Sequence, residues 1–204
     1  MKRTIVLVAT GNPGKYREIR RIISPFLPSK CKITSLKTFK KLPEVKESGK
    51  TYLENALKKA RKISALTGLI TVADDSGLEV FSLNKRPGVR SARFAGEASN
   101  DGRNNEKLLK LLKKKPDSKR KARFVCSAVA FFPKRRKWIA STARVSGIIG
   151  KKKTGNKGFG YDPLFFYPPL KKTFAQISAQ KKNRISHRAR AFAMLGRKMK
   201  GLIG

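Results

Sequence analysis

The first patterned stretch of the chain is a short, β-branched and continuously apolar run, Ile5-Val6-Leu7-Val8, as expected for a strand covered on both faces of a sheet. Gly11, Pro13 and Gly14 end it. From Lys15 onward Ile19, Ile22, Ile23 and Phe26 recur at helical spacing, so this part reads as strand, tight loop, helix. A second strand is expected at Ile33 to Leu36. Thr51 to Leu66 reads as a helix with Leu53, Ala56, Leu57, Ala60 and Ile63 along one face and lysines along the other. Leu69 to Ala73 is a further buried strand. The polar stretch Asp74-Asp75-Ser76-Gly77 predicts a break, after which Leu78 to Phe81 resumes extended structure.

In the second half, Asn104 to Leu112 reads as a short helix. Arg123 to Phe132 and Trp138 to Ile149 read as two strands of a hairpin, joined through Pro133-Lys134-Arg135-Arg136-Lys137. Ser186 can cap a final helix whose apolar face runs Phe192, Leu195, Met199 and Leu202. There is no internal repeat. Crossover units followed by a hairpin predict an α/β fold with α+β character: a two-lobed mixed sheet flanked by helices, with a central cleft. At 204 residues, positions 1–204 fit a single domain able to bury a real core.

Composition changes this picture in one respect. Apolar (39%) and charged (30%) fractions are those of a globular chain, but 50 Lys and Arg against 12 Asp and Glu give a formal net charge of +38. Such a field attracts polyanions without specifying chemistry, so nucleic-acid binding on the same fold stands as an alternative function. Basic runs such as Lys113-Lys114-Lys115 and Lys151-Lys152-Lys153 motivate it, although runs of this kind are more often solvated faces. Cys31 and Cys126 are far apart and lack neighbours at ligand spacing, which argues against a disulfide framework or a zinc site and fits a reducing, cytoplasmic setting. Met1-Lys2-Arg3 followed by Ile5 to Ala9 is too brief for a signal sequence, and no run reaches membrane-spanning length.

Four constellations carry candidate chemistry. Thr10-Gly11-Asn12-Pro13-Gly14-Lys15 lies at a strand-to-helix junction, where backbone N–H groups and the helix dipole favour an anion and Lys15 adds a charge. Its spacing is not that of a P-loop. An ordinary turn with a solvated lysine accounts for the same residues. Asp74-Asp75-Ser76-Gly77 offers two adjacent carboxylates. If the backbone is extended there, they point to opposite faces and should not share one role: one can bind metal or activate water while the other organises the loop. An acidic turn with solvated carboxylates is the alternative. Gly158-Phe159-Gly160-Tyr161-Asp162-Pro163 pairs flexible glycines with aromatic faces for a base and an acceptor, or is a β-turn packed by its aromatics. Lys182-Asn183-Arg184-Ile185-Ser186-His187-Arg188 holds the one histidine, with cations suited to phosphate or purine oxygen, or is an exposed basic helix start. Ser186 and His187 lack the elbow of a serine hydrolase.

Taken in order, these blocks resemble the inosine triphosphate pyrophosphatase family, which acts on non-standard purine nucleoside triphosphates. The resemblance runs through Ala9 to Glu18, Glu47-Ser48-Gly49 with Glu54-Asn55-Ala56, Ala73 to Leu78, Ser91-Ala92-Arg93 with Ala95-Gly96, Gly158 to Phe165, and Lys182 to Arg188. It implies a two-lobed α/β fold, usually dimeric, that hydrolyses ITP, dITP and XTP to the monophosphate and pyrophosphate with Mg²⁺. By resemblance, Asp75 activates water, and Glu47 and Asp75 contact the metal. Thr10, Gly11, Asn12, Pro13, Gly14, Lys15, Ser76 and Lys182 contact nucleotide and phosphates, while Phe159, Gly160, Tyr161, Asp162, His187 and Arg188 hold the base. The departure is charge: Gln176, Gln180 and Lys181 stand where the family commonly carries carboxylates.

Overall fold

The computed structural model describes residues 4–39, 42–97 and 100–203, so Met1-Lys2-Arg3 lies outside the described residues. The first apolar run is strand β1 (Ile5–Val8), followed by helix α1 (Pro13–Ile23). The helix begins earlier than its apolar spacing suggests because cap chemistry sets its start. The Asn12 side chain accepts the Lys15 N–H at 3.0 Å, and Pro13 occupies the first turn, where a missing N–H leaves no bond unmade. Phe26 falls in a 3-10 turn, Ser24–Phe26, rather than on the helix. Strand β2 (Lys32–Ser35) and helix α2 (Tyr52–Thr67) follow. A reciprocal cap opens α2: the Thr51 hydroxyl accepts the Glu54 N–H, and the Glu54 carboxylate accepts the Thr51 N–H.

The polar break expected at 74–77 does not exist. Strand β3 (Ile70–Val80) runs through it without interruption. Polar residues normally end a buried strand because their desolvation goes uncompensated, but here Asp74 and Asp75 find cationic and amide partners inside the protein. Helix α3 (Asp101–Leu112) starts a turn before Asn104, capped by Asn100. Strands β4 (Lys121–Phe132) and β5 (Lys137–Ile149) are neighbours in the sheet. Their short connection allows only antiparallel pairing, so the expected hairpin is present. Strands β6 (Phe165–Tyr167) and β7 (Lys172–Thr173), and helix α4 (Ala179–Ile185), are additions to the expected elements. Ser186 ends α4, immediately before the last helix, α5 (His187–Lys200), and Leu202 lies beyond that helix.

The strands form one mixed sheet in the order β2-β1-β3-β4-β5-β6-β7, with β1 parallel to β2 and β3, and β6 antiparallel to β5 and β7. The chain divides into two compact units. One takes in the described residues up to Asp75, Cys126–Ala143 and those from Arg188 on; the other takes in Ser76–Val125 and Arg144–His187. In the first, side-chain alternation sorts the strands between two apolar clusters. Val6, Val8 and Val72 pack toward α1 and α5, while Leu7, Ala9 and Ala73 pack toward α2. The second unit is built on Leu78, Leu108, Phe124, Phe165 and Phe174. No helix among the described residues is long and apolar enough to cross a membrane. Lys113-Lys114-Lys115 and Lys151-Lys152-Lys153 are exposed.

Phe192 of α5 is fully buried in the first cluster, and its removal leaves a cavity. Phe192→Ala should lower unfolding free energy by about 3–5 kcal/mol, read from the denaturant midpoint. An unchanged midpoint would contradict this account of the core.

Candidate active site

The alternation that sorts the core also separates the two carboxylates of β3. Asp74 continues the Val72 register toward α1 and α5; Asp75 continues the Ala73 register toward α2. Both are buried, so the solvated acidic turn is excluded. Asp74 receives Arg188 Nε at 3.3 Å and Lys15 Nζ at 3.5 Å, and Arg188 also donates to Glu18 Oε2 at 2.7 Å. Burial works against the Arg188 charge, but Asp74 and Glu18 outweigh it and raise its pKa. Arg188 is therefore no exposed basic group. It ties the start of α5 to β3 and α1.

Asp75 sits in a different setting. Asn55 Nδ2 donates to its Oδ2 at 2.9 Å, while Asn55 Oδ1 accepts the Gly49 N–H at 2.7 Å. That second bond fixes the amide's orientation and aims its donor at the carboxylate. A Cβ on Gly49 would come within 2.7 Å of Asn55 Oδ1, so the glycine permits the close approach. The neighbouring Glu47 is ion-paired with Lys59, which also donates to the Asp74 carbonyl at 2.9 Å. Burial, then the charge of Glu47, push the Asp75 carboxyl up to about 6, although Asn55, Lys15 and Lys59 pull the other way. Burial pulls Lys59 down, yet Glu47, Asp74 and Asp75 together hold it above its usual range.

The charge of Glu47 thus lies near enough to disfavour that of Asp75, an arrangement a divalent cation relieves. Among the described residues no group of three or more His, Cys, Asp or Glu is arranged to hold a metal by itself. Two carboxylates still fit Mg²⁺, which is commonly held by one or two carboxylates with water and substrate phosphates supplying the rest.

The Thr10 to Lys15 loop leads into α1 with Gly11, Asn12 and Pro13 exposed. It is more ordered than a solvated turn: Thr10 Oγ1 accepts the Asn12 N–H at 3.2 Å, and Lys15 turns back toward Asp74. The second unit gathers the other predicted residues. Asp162 Oδ2 accepts the Phe159 N–H at 3.0 Å and Lys182 Nζ at 2.5 Å, and that ammonium lies 4.5 Å from the centre of the Phe159 ring. Tyr161 is buried, with its hydroxyl donating to the Ser91 carbonyl at 2.9 Å. The buried His187 stacks on Phe124 at 4.5 Å and 15°. Ser76 is half-buried in β3, and Gly160 is half-buried with φ 62°.

Lys182 and His187 are therefore buried parts of the structure, not an exposed helix start. Sequence reasoning gave no role to Asn55 and Lys59. Their signal was present: they stand four apart on α2, adjoining its buried Ala56 and Ala60, where a polar pair needs partners inside the protein.

The Ham1 family model matches residues 6–198. A dITP/XTP pyrophosphatase of Clostridium perfringens is 45% identical over 203 residues, covering 97% of this chain and 98% of its own. One from Listeria innocua is 44% identical over 190 residues, covering 93% and 92%. Among solved structures, the Staphylococcus aureus Ham1 protein superimposes with a TM-score of 0.84 at 37% identity, covering 98% of this chain and 100% of its own. A HAM1 protein from Coxiella burnetii gives 0.86 at 33%, covering 97% and 99%. With the family model matching residues 6–198 and relatives matching over more than nine-tenths of both chains, the chain belongs to the Ham1 family.

Proposed function

We propose that this protein hydrolyses the non-standard purine nucleoside triphosphates ITP, dITP and XTP to the monophosphate and pyrophosphate, with Asp75 as the base that activates water. The observation that carries the reading is Asp75 itself, a buried carboxylate raised to about 6, bonded to the Asn55 amide and set beside Glu47 and Lys59. A carboxylate so raised is a better proton acceptor than an ordinary one yet remains ionised at neutral pH. The names of relatives matched over more than nine-tenths of their length, dITP/XTP pyrophosphatase, support dITP and XTP among these substrates.

Glu47 and Asp75 would hold Mg²⁺, which neutralises phosphate charge when bound. Lys15 and Lys59 supply further positive charge beside the carboxylates, and the Thr10 to Lys15 loop receives phosphate at the start of α1. Ser76 and Lys182 are assigned to nucleotide and phosphate contacts. Phe159, Gly160, Tyr161, Asp162 and His187 are assigned to the base. Arg188 is assigned to the base as well, and it also holds Asp74. Donors aimed at a purine 6-oxo group reject adenine, whose amino group leaves them unpaired. A homodimer acting on the cytoplasmic nucleotide pool completes the proposal.

Asp75→Asn should reduce kcat for ITP by roughly 10²–10⁴-fold, measured as pyrophosphate release, with the folded fraction unchanged. Undiminished turnover would remove Asp75 from the mechanism. Chelation of divalent cations should abolish turnover of the wild-type protein and added Mg²⁺ should restore it; full activity in excess chelator would refute the metal assignment.

The same carboxylate has a consequence for stability. Because its folded pKa of about 6 exceeds the ordinary aspartate value of 3.8, the folded state binds the extra proton, and stability is lost as pH rises through about 6. In metal-free protein, Asp75→Asn should therefore stabilise the fold above pH 6 by up to about 3 kcal/mol, a benefit that fades below about pH 4. Thermal melts across that range check it, and a benefit that grows toward acid would reverse the sign.

A further inference from the structure

We propose that the first turn of α3, through Asp101 and Asn105, is a positioning element that sets base selectivity by holding the Gly160 peptide; this rests on the reading that Phe159 to Asp162 receive the base.

The loop needs such an element. Phe159 lies between Gly158 and Gly160, whose φ angles are 79° and 62°. Glycines on both sides leave the aromatic ring on the most conformationally free backbone a chain can offer. One side is restrained within the loop region, where Asp162 takes the Phe159 N–H and Lys182 covers the ring. The other side is restrained by α3. Asp101 Oδ2 accepts the Gly160 N–H at 2.6 Å, and Asn105 Nδ2 donates to the Gly160 carbonyl at 2.9 Å. Both polar groups that Gly160 contributes to the backbone are thus taken by one helix turn.

That turn is itself fixed. Asn105 Nδ2 also donates to the Asp101 carbonyl at 2.6 Å, joining the two residues. Between them Asn104 accepts the Ala95 N–H at 2.7 Å and donates to the Ala92 carbonyl at 3.0 Å. This ties the helix to the Ser91 to Gly96 segment, whose Ser91 carbonyl receives the Tyr161 hydroxyl. The motif Ser91-Ala92-Arg93 with Ala95-Gly96, given no role in the chemistry, becomes the footing on which the base loop stands. Asp101 suits this position for two reasons. Its carboxylate gives a charge-assisted bond, and the first turn of α3 is a favourable place for a negative charge.

The test compares Asp101→Ala, Asp101→Asn and Asn105→Ala with Phe159→Ala in the full chain. It measures kcat and KM for ITP and the ITP to ATP ratio of kcat/KM. Losing one charge-assisted bond should raise KM for ITP about tenfold and lower the selectivity ratio, with kcat changed less than about twofold. Asp101→Asn should recover most of the loss, because its amide oxygen still accepts the Gly160 N–H. Asp101 is exposed, so its substitution leaves the core intact. If Phe159→Ala raises KM while Asp101→Ala and Asn105→Ala leave KM and selectivity unmoved, the positioning role is overturned and the loop assignment stands. If Phe159→Ala also leaves them unmoved, both fall.

Discussion

Two consecutive carboxylates buried in the middle of a strand are the constraint from which the surroundings of the candidate site follow. Leaving either charge uncompensated would cost several kcal/mol, and alternation along β3 points the two carboxylates to opposite faces, so that their hydrogen-bond donors differ even where the charges of Lys15 and Lys59 reach both. Each face therefore needs its own donors. On one, Arg188 from the start of α5 and Lys15 from the start of α1 converge on Asp74, and Glu18 balances the arginine. On the other, α2 sends Asn55 to Asp75 and Lys59 to Glu47. The compensation is uneven. Asp74 is paired with Arg188 and Lys15, whereas Asp75 is bonded to a neutral amide with the like charge of Glu47 nearby, which together with burial raises its carboxyl.

This unevenness also puts the protein's overall charge in perspective. A chain with net charge +38 holds few carboxylates, yet Glu18, Glu47, Asp74 and Asp162 each meet an Arg or Lys, and Asp75 meets Asn55. These carboxylates lie where the ion pairs organise the site. The lysine runs that motivated a nucleic-acid reading are exposed, where charge shapes solubility and diffuse attraction more than fold. The two relatives named above carry the name dITP/XTP pyrophosphatase, which favours nucleotide hydrolysis over the nucleic-acid reading.

Where periodicity spoke strongly, structure followed it: β1, α2 and the β4–β5 hairpin lie close to where apolar spacing puts them. Misreadings arose where polar residues are buried. Asp74 to Gly77 looks like a turn because the sequence does not display the distant Arg188 and Asn55 that make a continuous strand tolerable. Helix α4 lacks an apolar stripe and depends on the Ser178 cap, so spacing could not reveal it. The motif loops were visible as glycine-flanked polar runs. Their supports were harder to see: Asn55 and Lys59 stand out only by adjoining the buried face of α2, and Asp101 and Asn105 read as ordinary polar positions until folding brings them to Gly160.

On this reading neighbouring carboxylates divide the labour, Asp74 holding the structure and Asp75 doing the chemistry. Melting temperature and ITP turnover of Asp74→Asn put that division to the sharpest test. We expect a loss of stability of about 3–5 kcal/mol, since Arg188 loses a buried partner, with appreciable turnover at temperatures where the variant remains folded. A variant that melts like the wild type yet has lost turnover entirely would contradict the division, because Asp74 would then be acting on the substrate rather than on the fold.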